Sequence, residues 1–191
     1  MRISGTRRAG LAVGVLALVG SLAPSALAND HMAAPGDDAI GSAVNAFPVS
    51  LAGPGTARLS VWARSDPAGA HPNGTVRATG NGGAPATGFT VSGPVTCLRV
   101  VGNRASIKYT FTRADGAAAA LKGGGVEVFV EDNGDSRRRP DANAFGAPMP
   151  AGAFQASQPT SCDDPNTGDY TPVRSGGYTV HNQPGARSGT P

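Results

Sequence analysis

The chain has few aromatic and sulfur-containing residues with which to build a core. Aromatic residues make up 5% of its 191 residues, and it contains one tryptophan, Trp62, and two cysteines, Cys97 and Cys162. Apolar residues do not recur with a sustained helical period, whereas 28 glycines and 16 prolines favour turns and loops. This composition excludes a helical bundle and is typical of a loop-rich β domain.

The sequence also lacks the signature motifs of several large enzyme classes. It contains no G-x-S-x-G, H-E-x-x-H or S-x-x-K pattern, no P-loop and no Rossmann glycine pattern. We therefore expect a protein that is not an enzyme. We also expect it to have no cofactor, with a Ca²⁺ ion at an acidic loop as the alternative.

The overall charge does not point to a polyanionic partner. The chain has 16 basic and 13 acidic residues, but Arg2, Arg7 and Arg8 lie in a segment that we predict to be removed. The remaining residues then have no net charge, so the charge of the chain gives no reason to expect binding to nucleic acid or to an anionic membrane surface. We expect no nucleic-acid partner.

Residues 1–28 have the three parts of a secretory signal peptide. The arginines form a positive region, Ala9–Leu22 is apolar but shorter than the roughly 20 residues that span a bilayer, and Ala26 and Ala28 are small. We place the cleavage between Ala28 and Asn29. We expect an extracellular protein, in the medium or at the cell envelope, with no stable membrane insertion after cleavage.

The mature chain divides by composition into three parts. Segment 29–55 is rich in Ala, Gly and Pro and is predicted to be a linker, with the stretch 47–51 able to dock as an edge strand. Residues 56–182 carry the β pattern, and the polar tail 183–191 is expected to be disordered.

Alternation of apolar and polar residues predicts about seven short strands. These runs are 56–64, 75–79, 88–91, 95–101, 104–113, 126–131 and 177–181. In the fifth run Ile107 and Tyr109 point inward and Ser106 and Lys108 outward, and in the sixth Glu127 points outward. The spacing predicts an all-β fold, an antiparallel β-sandwich of Ig-like or jelly-roll type.

Two cysteines in an exported protein most often form a disulfide. A Cys97–Cys162 bond would close a loop of about 66 residues and stabilise the fold by roughly 4 kcal/mol in the chain-entropy model. A metal site or a catalytic thiol is the alternative, but the three histidines are scattered along the chain. We expect the disulfide.

Three segments resemble a β-sandwich module of small secreted actinobacterial proteins. They match the patterns VTCLxVxGNxA, VxDNG and SGxxxVH and lie in residues 94–105, 129–134 and 173–182. The resemblance implies a secreted β-sandwich over roughly 56–182 and supplies no activity or functional residues. One departure is the stretch Asp135–Pro140, DSRRRP, where those proteins have a short acidic, glycine-rich stretch.

Three sets of residues are candidates for binding. The acidic loop of Asp132, Asn133, Asp135 and Asp141 offers oxygen ligands to Ca²⁺, or is a hairpin turn formed by Asn-Gly. The basic run Arg137, Arg138 and Arg139 could hold an anionic glycan or phosphate, or is a solvated loop. Trp62 lies on the same side of the run 56–64 as Arg58 and Arg64. It is a sugar-stacking platform or partner anchor, or it is partly buried beneath an arginine.

These observations predict a secreted, non-catalytic module that binds an unidentified ligand at the envelope or outside the cell. One alternative is a metal-dependent extracellular hydrolase. Its site would be built from acidic loops, with Asp132, Asp135, Asp141, Asp163 and Asp164. A protease inhibitor that presents one of the long loops is a further alternative.

Overall fold

The computed structural model describes residues 36–47, 55–82, 88–134 and 139–182. These residues contain ten β-strands and one short α-helix, α1 (Ala151–Ala156). The strands are β1 (Asp38–Phe47), β2 (Gly55–Arg64), β3 (Asn73–Gly82), β4 (Phe89–Val101), β5 (Arg104–Thr110), β6 (Arg113–Gly116), β7 (Gly125–Glu131), β8 (Ala142–Phe145), β9 (Thr171–Pro172) and β10 (Ser175–His181). The predicted signal peptide, its cleavage site at Ala28 and Asn29, and the tail 183–191 lie outside the described residues.

All ten strands belong to one antiparallel sheet with the order β10-β1-β2-β3-β4-β5-β7-β8-β9, and β6 pairs beside β4. The sheet curls like a half-barrel. Its two ends lie close together because β9 pairs with β8, β10 pairs with β1, and only Val173 and Arg174 separate β9 from β10. The all-β antiparallel prediction is confirmed. The prediction of seven strands is wrong, and a two-sheet sandwich is not confirmed.

The longest strand, β4, bends where its pairing changes. Its first half pairs with β3 and β6, whereas residues from Val95 onward pair with β5. Gly93 lies at the change, and a Cβ atom there would be 1.8 Å from the carbonyl oxygen of Thr110. Glycine at this position lets the two strands approach closely.

Residues 38–47 form the strand β1, so the prediction that they belong to a linker is wrong. Its inner face presents Ala39 and Ala43, both fully buried, while the larger Ile40 and Val44 lie on the outer face. The apolar pattern is therefore inverted relative to a usual amphipathic strand, because the bulky residues do not mark the core side.

The core lies on the inner face of the curled sheet and is rich in small residues. The strands β2 and β3 contribute Ala57, Leu59, Val61, Ala63, Val76 and Ala78, and larger side chains come from β4, β5 and the segment after it. Tyr109 and Phe111 are among the largest buried side chains, and their rings meet edge to face with centroids 5.3 Å apart. Small residues on one wall leave room for these rings.

Residues 146–170, here called the strap, cover the outer face of β5 and β7. The strap contains α1, whose Phe154 is fully buried against Gly125. Within the described ranges, no helix has the length and hydropathy needed to cross a bilayer.

Several contacts along its length hold the strap against the sheet. The Cys97–Cys162 disulfide joins it to β4, which confirms the predicted bond. The Thr96 hydroxyl donates to the carbonyl of Pro159 at 2.7 Å, and the Arg104 guanidinium lies 4.9 Å from the ring centre of Tyr170. The described residues therefore cover the outer face of β5 and β7 and leave that of β1, β2 and β3 without such a cover.

Candidate binding face

The outer face of β1, β2 and β3 carries side chains in regular cross-strand rows. One row runs through Ile40, Trp62 and Thr75, the next through Ser42, Ser60, Arg77 and Ser92, and a third through Val44, Arg58, Thr79, Thr90 and Asp115. Directly opposed residues in such rows have Cβ atoms roughly 5 Å apart. The face thus forms a continuous surface of aromatic, cationic and hydroxyl groups.

Three arginines surround the tryptophan on this surface, and we call Trp62 with Arg58, Arg64 and Arg77 the arginine face. Trp62 is 47% exposed, and the guanidinium of Arg64 lies 5.7 Å from its ring centre. Arg77 is diagonal to both Trp62 and Arg58 across the β2–β3 pairing, a separation of about 7 Å. Four residues of extended chain place Arg58 about 13 Å from Trp62.

No carboxylate of the described residues lies within ion-pair distance of Arg58, Arg64 or Arg77. Arg113, at the edge of the same face, differs because it pairs with Asp115. The connecting segments 48–54 and 83–87 contain no charged residue. Asp38 lies opposite Arg64 in the β1–β2 pairing, and its carboxylate binds His181 at 3.0 Å. Even with this acidic neighbour, the three arginines leave the face with an excess of positive charge.

The sequence predicted Trp62, Arg58 and Arg64 on one face but did not predict Arg77 beside them. Alternation along β2 placed Trp62 with Arg58 and Arg64, but Arg77 comes from β3 and joins them only through the β2–β3 register. The signal for Arg77 was its place between threonines in the run 75–79, which puts it on the polar side of a strand. The pairing of that strand with β2 could not be derived from either run alone.

The predicted basic run is only partly described. Arg139 is exposed in the connection between β7 and β8, and Arg137 and Arg138 lie outside the described residues. The structure does not bring Arg139 together with Trp62 by any described contact.

Two carboxylates of the acidic loop bind the backbone of β10 along the edge that does not pair with β1. The Asp141 carboxylate accepts hydrogen bonds from the backbone N–H groups of Asn133 and Tyr178, each at 2.7 Å. The Asp132 carboxylate accepts from the N–H groups of Gly134 at 2.8 Å and Val180 at 3.1 Å. These four bonds give the two carboxylates a structural role, since they satisfy backbone donors along a strand edge.

The described residues contain no group of three or more His, Cys, Asp or Glu side chains that could hold a metal ion. Of the predicted Ca²⁺ ligands, Asp135 lies outside the described residues. Asn133 directs its side-chain amide to the carbonyl of Pro140 at 3.0 Å and to the Glu131 carboxylate at 3.2 Å. Asn133 and Gly134 lie in the connection between the antiparallel strands β7 and β8.

Replacing Asp141 with alanine is expected to lower the free energy of unfolding by about 2 kcal/mol, because two backbone donors lose a charged acceptor. Asp169→Ala is the matched control, since Asp169 is an exposed acid of the strap. Urea unfolding of both variants measures the difference. Equal stability of D141A and D169A would contradict the proposed role of Asp141 at the β10 edge.

A second polar cluster lies beneath the strap and is buried. The Ser106 hydroxyl donates to the Glu127 carboxylate, which also accepts from the N–H of Asp163 at 2.8 Å. The Lys108 ammonium lies 3.6 Å from Glu127 and donates to the carbonyl of Ser157 at 3.3 Å. The side chains of Lys108 and Glu127 are 6% and 7% exposed, so the strap shields the pair from solvent.

Burial dominates the electrostatics of this cluster. Loss of solvation raises the pKa of Glu127, although the hydrogen bonds from Ser106 and Asp163 and the positive charge of Lys108 oppose the rise. Ser106 has no exposed surface, so its hydroxyl supports the fold here and does not face a substrate.

The described residues also form a small apolar cavity of about 30 Å³ lined by Phe89, Tyr109, Phe111 and Phe145 among others. This volume has room for little more than one water molecule. The cavity is therefore too small to hold a ligand much larger than water.

The chain matches no protein-family model, no curated protein and no solved structure. The resemblance to secreted actinobacterial β-sandwich proteins stays a prediction from the sequence.

Proposed function

We propose that this protein is a secreted, non-catalytic binding module whose arginine face takes an anionic polymer at the cell envelope or in the medium. The observation that carries the proposal is the set of three arginines around a half-exposed Trp62 with no described carboxylate in ion-pair range. Guanidinium groups bind carboxylate and phosphate through paired hydrogen bonds.

The chemistry of the surface fits an extended ligand. Exposed tryptophan offers a flat apolar surface, and serine and threonine hydroxyls between the arginines offer further donors and acceptors. An extracellular location is supported by the predicted signal peptide and by the disulfide, which persists in oxidising compartments.

Among the alternatives drawn from the sequence, a metal-dependent hydrolase would use Asp132, Asp135, Asp141, Asp163 and Asp164. In the structure the carboxylates of Asp132, Asp141 and Asp164 accept hydrogen bonds from backbone N–H groups, which is why we propose binding. Nothing described favours a protease inhibitor over a binding module.

The test uses the fluorescence of Trp62, which reports on the proposed site because it is the sole tryptophan of the sequence. Protein recovered from the medium, with its N-terminus expected at Asn29, is titrated with polygalacturonate and with neutral dextran. We expect polygalacturonate to change the emission saturably, and its affinity to fall with added salt because salt screens exposed charges. Dextran should change the emission little.

The paired variant Arg58→Gln with Arg77→Gln should lower the affinity for polygalacturonate at least tenfold, since two charge-assisted contacts are lost. The matched control is Lys122→Gln with Arg174→Gln, which removes the same charge from exposed positions outside the face. Equal loss of affinity in the two double variants, or equal binding of dextran and polygalacturonate, would refute the proposal.

A further inference from the structure

One end of the arginine face opens into a polar groove. The groove has a volume of about 390 Å³ and lies across β3, β4 and β6. We call it the threonine groove, and its side chains include Thr79, Asn81, Thr90 and Asp115. The groove is shallow and open to solvent along most of its surface, so it can receive one unit of a longer ligand.

Glycines on β3 and β6 lie beside the groove. A Cβ atom at Gly80 would lie 2.6 Å from the ring of Phe89, so the ring packs against the bare backbone beneath the groove. Gly116 has a φ of +65°, and a Cβ atom there would lie 2.0 Å from the carbonyl oxygen of Gly88. Glycine at both positions therefore permits close contacts that a side chain would prevent.

The groove differs in chemistry from the arginine face beside it. It offers two hydroxyls, an amide and a carboxylate, and no cationic residue is among its lining residues. Asp115 accepts a hydrogen bond from the side chain of Arg113, which fixes the orientation of the carboxylate. Hydroxyl, amide and carboxylate groups hydrogen-bond the hydroxyls of a ligand, and the Arg113 side chain balances the charge of the Asp115 carboxylate.

The two surfaces are contiguous. Arg58 lies directly opposite Thr79 in the β2–β3 pairing, and Thr79 lies opposite Thr90, which lies opposite Asp115. Three strand spacings separate Arg58 from Asp115, a distance of about 14 Å. One polymer can therefore contact the cationic and the hydroxyl-binding surfaces together.

We infer that the threonine groove is a subsite for the hydroxyl groups of a sugar unit, and that the ligand of this protein is an acidic polysaccharide. Its anionic groups lie on the arginines, and hydroxyls of an adjoining unit occupy the groove. This inference rests on the proposed function and narrows it. A polyanion without hydroxyls, such as polyphosphate, would bind the arginines but would donate no hydrogen bonds to the groove.

The first experiment compares three probes by Trp62 fluorescence at one salt concentration. These are polygalacturonate, which has carboxylates and hydroxyls, inorganic polyphosphate, which has charge alone, and single-stranded DNA. At matched charge concentration, we expect polygalacturonate to bind at least fivefold more tightly than either of the others.

The second experiment removes the hydroxyls of the groove. The variant Thr79→Val with Thr90→Val keeps the branched shape and the strand preference of threonine. It should weaken polygalacturonate binding roughly fivefold through the loss of two hydrogen bonds and leave polyphosphate binding unchanged. Thr160→Val, an exposed threonine of the strap, is the control, and thermal unfolding verifies that each variant is folded.

The outcomes separate this inference from the proposed function. If polyphosphate binds as tightly as polygalacturonate and the groove variant changes neither, the groove inference is overturned while the arginine face stands. Preferential binding of DNA would overturn the choice of a glycan. If no anionic polymer binds, the proposed function fails together with the inference.

Discussion

A variant without the disulfide, Cys97→Ala with Cys162→Ala, is expected to lose about 4 kcal/mol of unfolding free energy and about 10 °C in Tm. The bond spans 65 positions of sequence, so its removal restores much conformational freedom to the unfolded chain. Calorimetry and urea unfolding measure the loss. The protein treated with dithiothreitol should behave like the variant.

The same variant should expose the strap to proteases. Cys162 joins the strap to β4, and nearby contacts such as the Thr96–Pro159 hydrogen bond are single interactions. Limited proteolysis should therefore cut the strap in the variant before the sheet. Ser161→Ala, beside the cysteine, is the control and should resist cleavage. A stability loss below about 1 kcal/mol with unchanged cleavage would show that the disulfide does not fasten the strap.

Strands with ordinary alternation were predictable from the sequence. In β2 the apolar residues Leu59 and Val61 face the core, and Trp62 faces out, as the pattern indicates. The cysteine pair was predictable for a different reason, because an exported chain with two cysteines has one possible internal disulfide. The alternation along β2 was therefore sufficient to predict the strand, and the number of cysteines was sufficient to predict the disulfide.

The strand β1 was not predictable from alternation, because its core side is made of the smallest residues. Ala39 and Ala43 fill the inner face, and Asn45 is also buried there, 1% exposed. The Asn45 amide donates to the Asn143 side chain, which in turn donates to the Tyr178 hydroxyl at 2.8 Å. A buried polar link between strands far apart in sequence has no local signature.

The burial of the outer side of β5 and β7 depends on a distant segment. Alternation correctly placed Ser106, Lys108 and Glu127 on the polar side of β5 and β7. It could not show that the strap covers this side and buries the three residues. The strap contributes few apolar residues besides Phe154, so its sequence does not show that it packs on the sheet. Prediction of the arginine face was limited in the same way, since Arg77 required the strand register.

The largest electrostatic effect is expected from Lys108→Met, which removes the charge beside Glu127 while keeping an apolar side chain of similar length. At neutral pH the variant should lose about 3 kcal/mol of unfolding free energy, because the Glu127 carboxylate is left buried without its cation. The double variant Lys108→Met with Glu127→Gln should recover most of this loss. A glutamine there still accepts the hydrogen bonds from Ser106 and Asp163 and carries no charge.

The pH dependence distinguishes this charge effect from a loss of packing. Burial already raises the pKa of Glu127 above its ordinary value of 4.5, and removal of Lys108 takes away an influence that lowers it. A carboxyl whose pKa is raised by folding stabilises the folded state below the unfolded pKa, and that contribution is lost as the pH rises through the folded pKa. The double variant and K108M should therefore have similar free energies of unfolding at about pH 4. At about pH 8 the free energy of unfolding of the double variant should be higher by about 3 kcal/mol. A difference that does not change with pH would mean that Lys108 acts through packing alone.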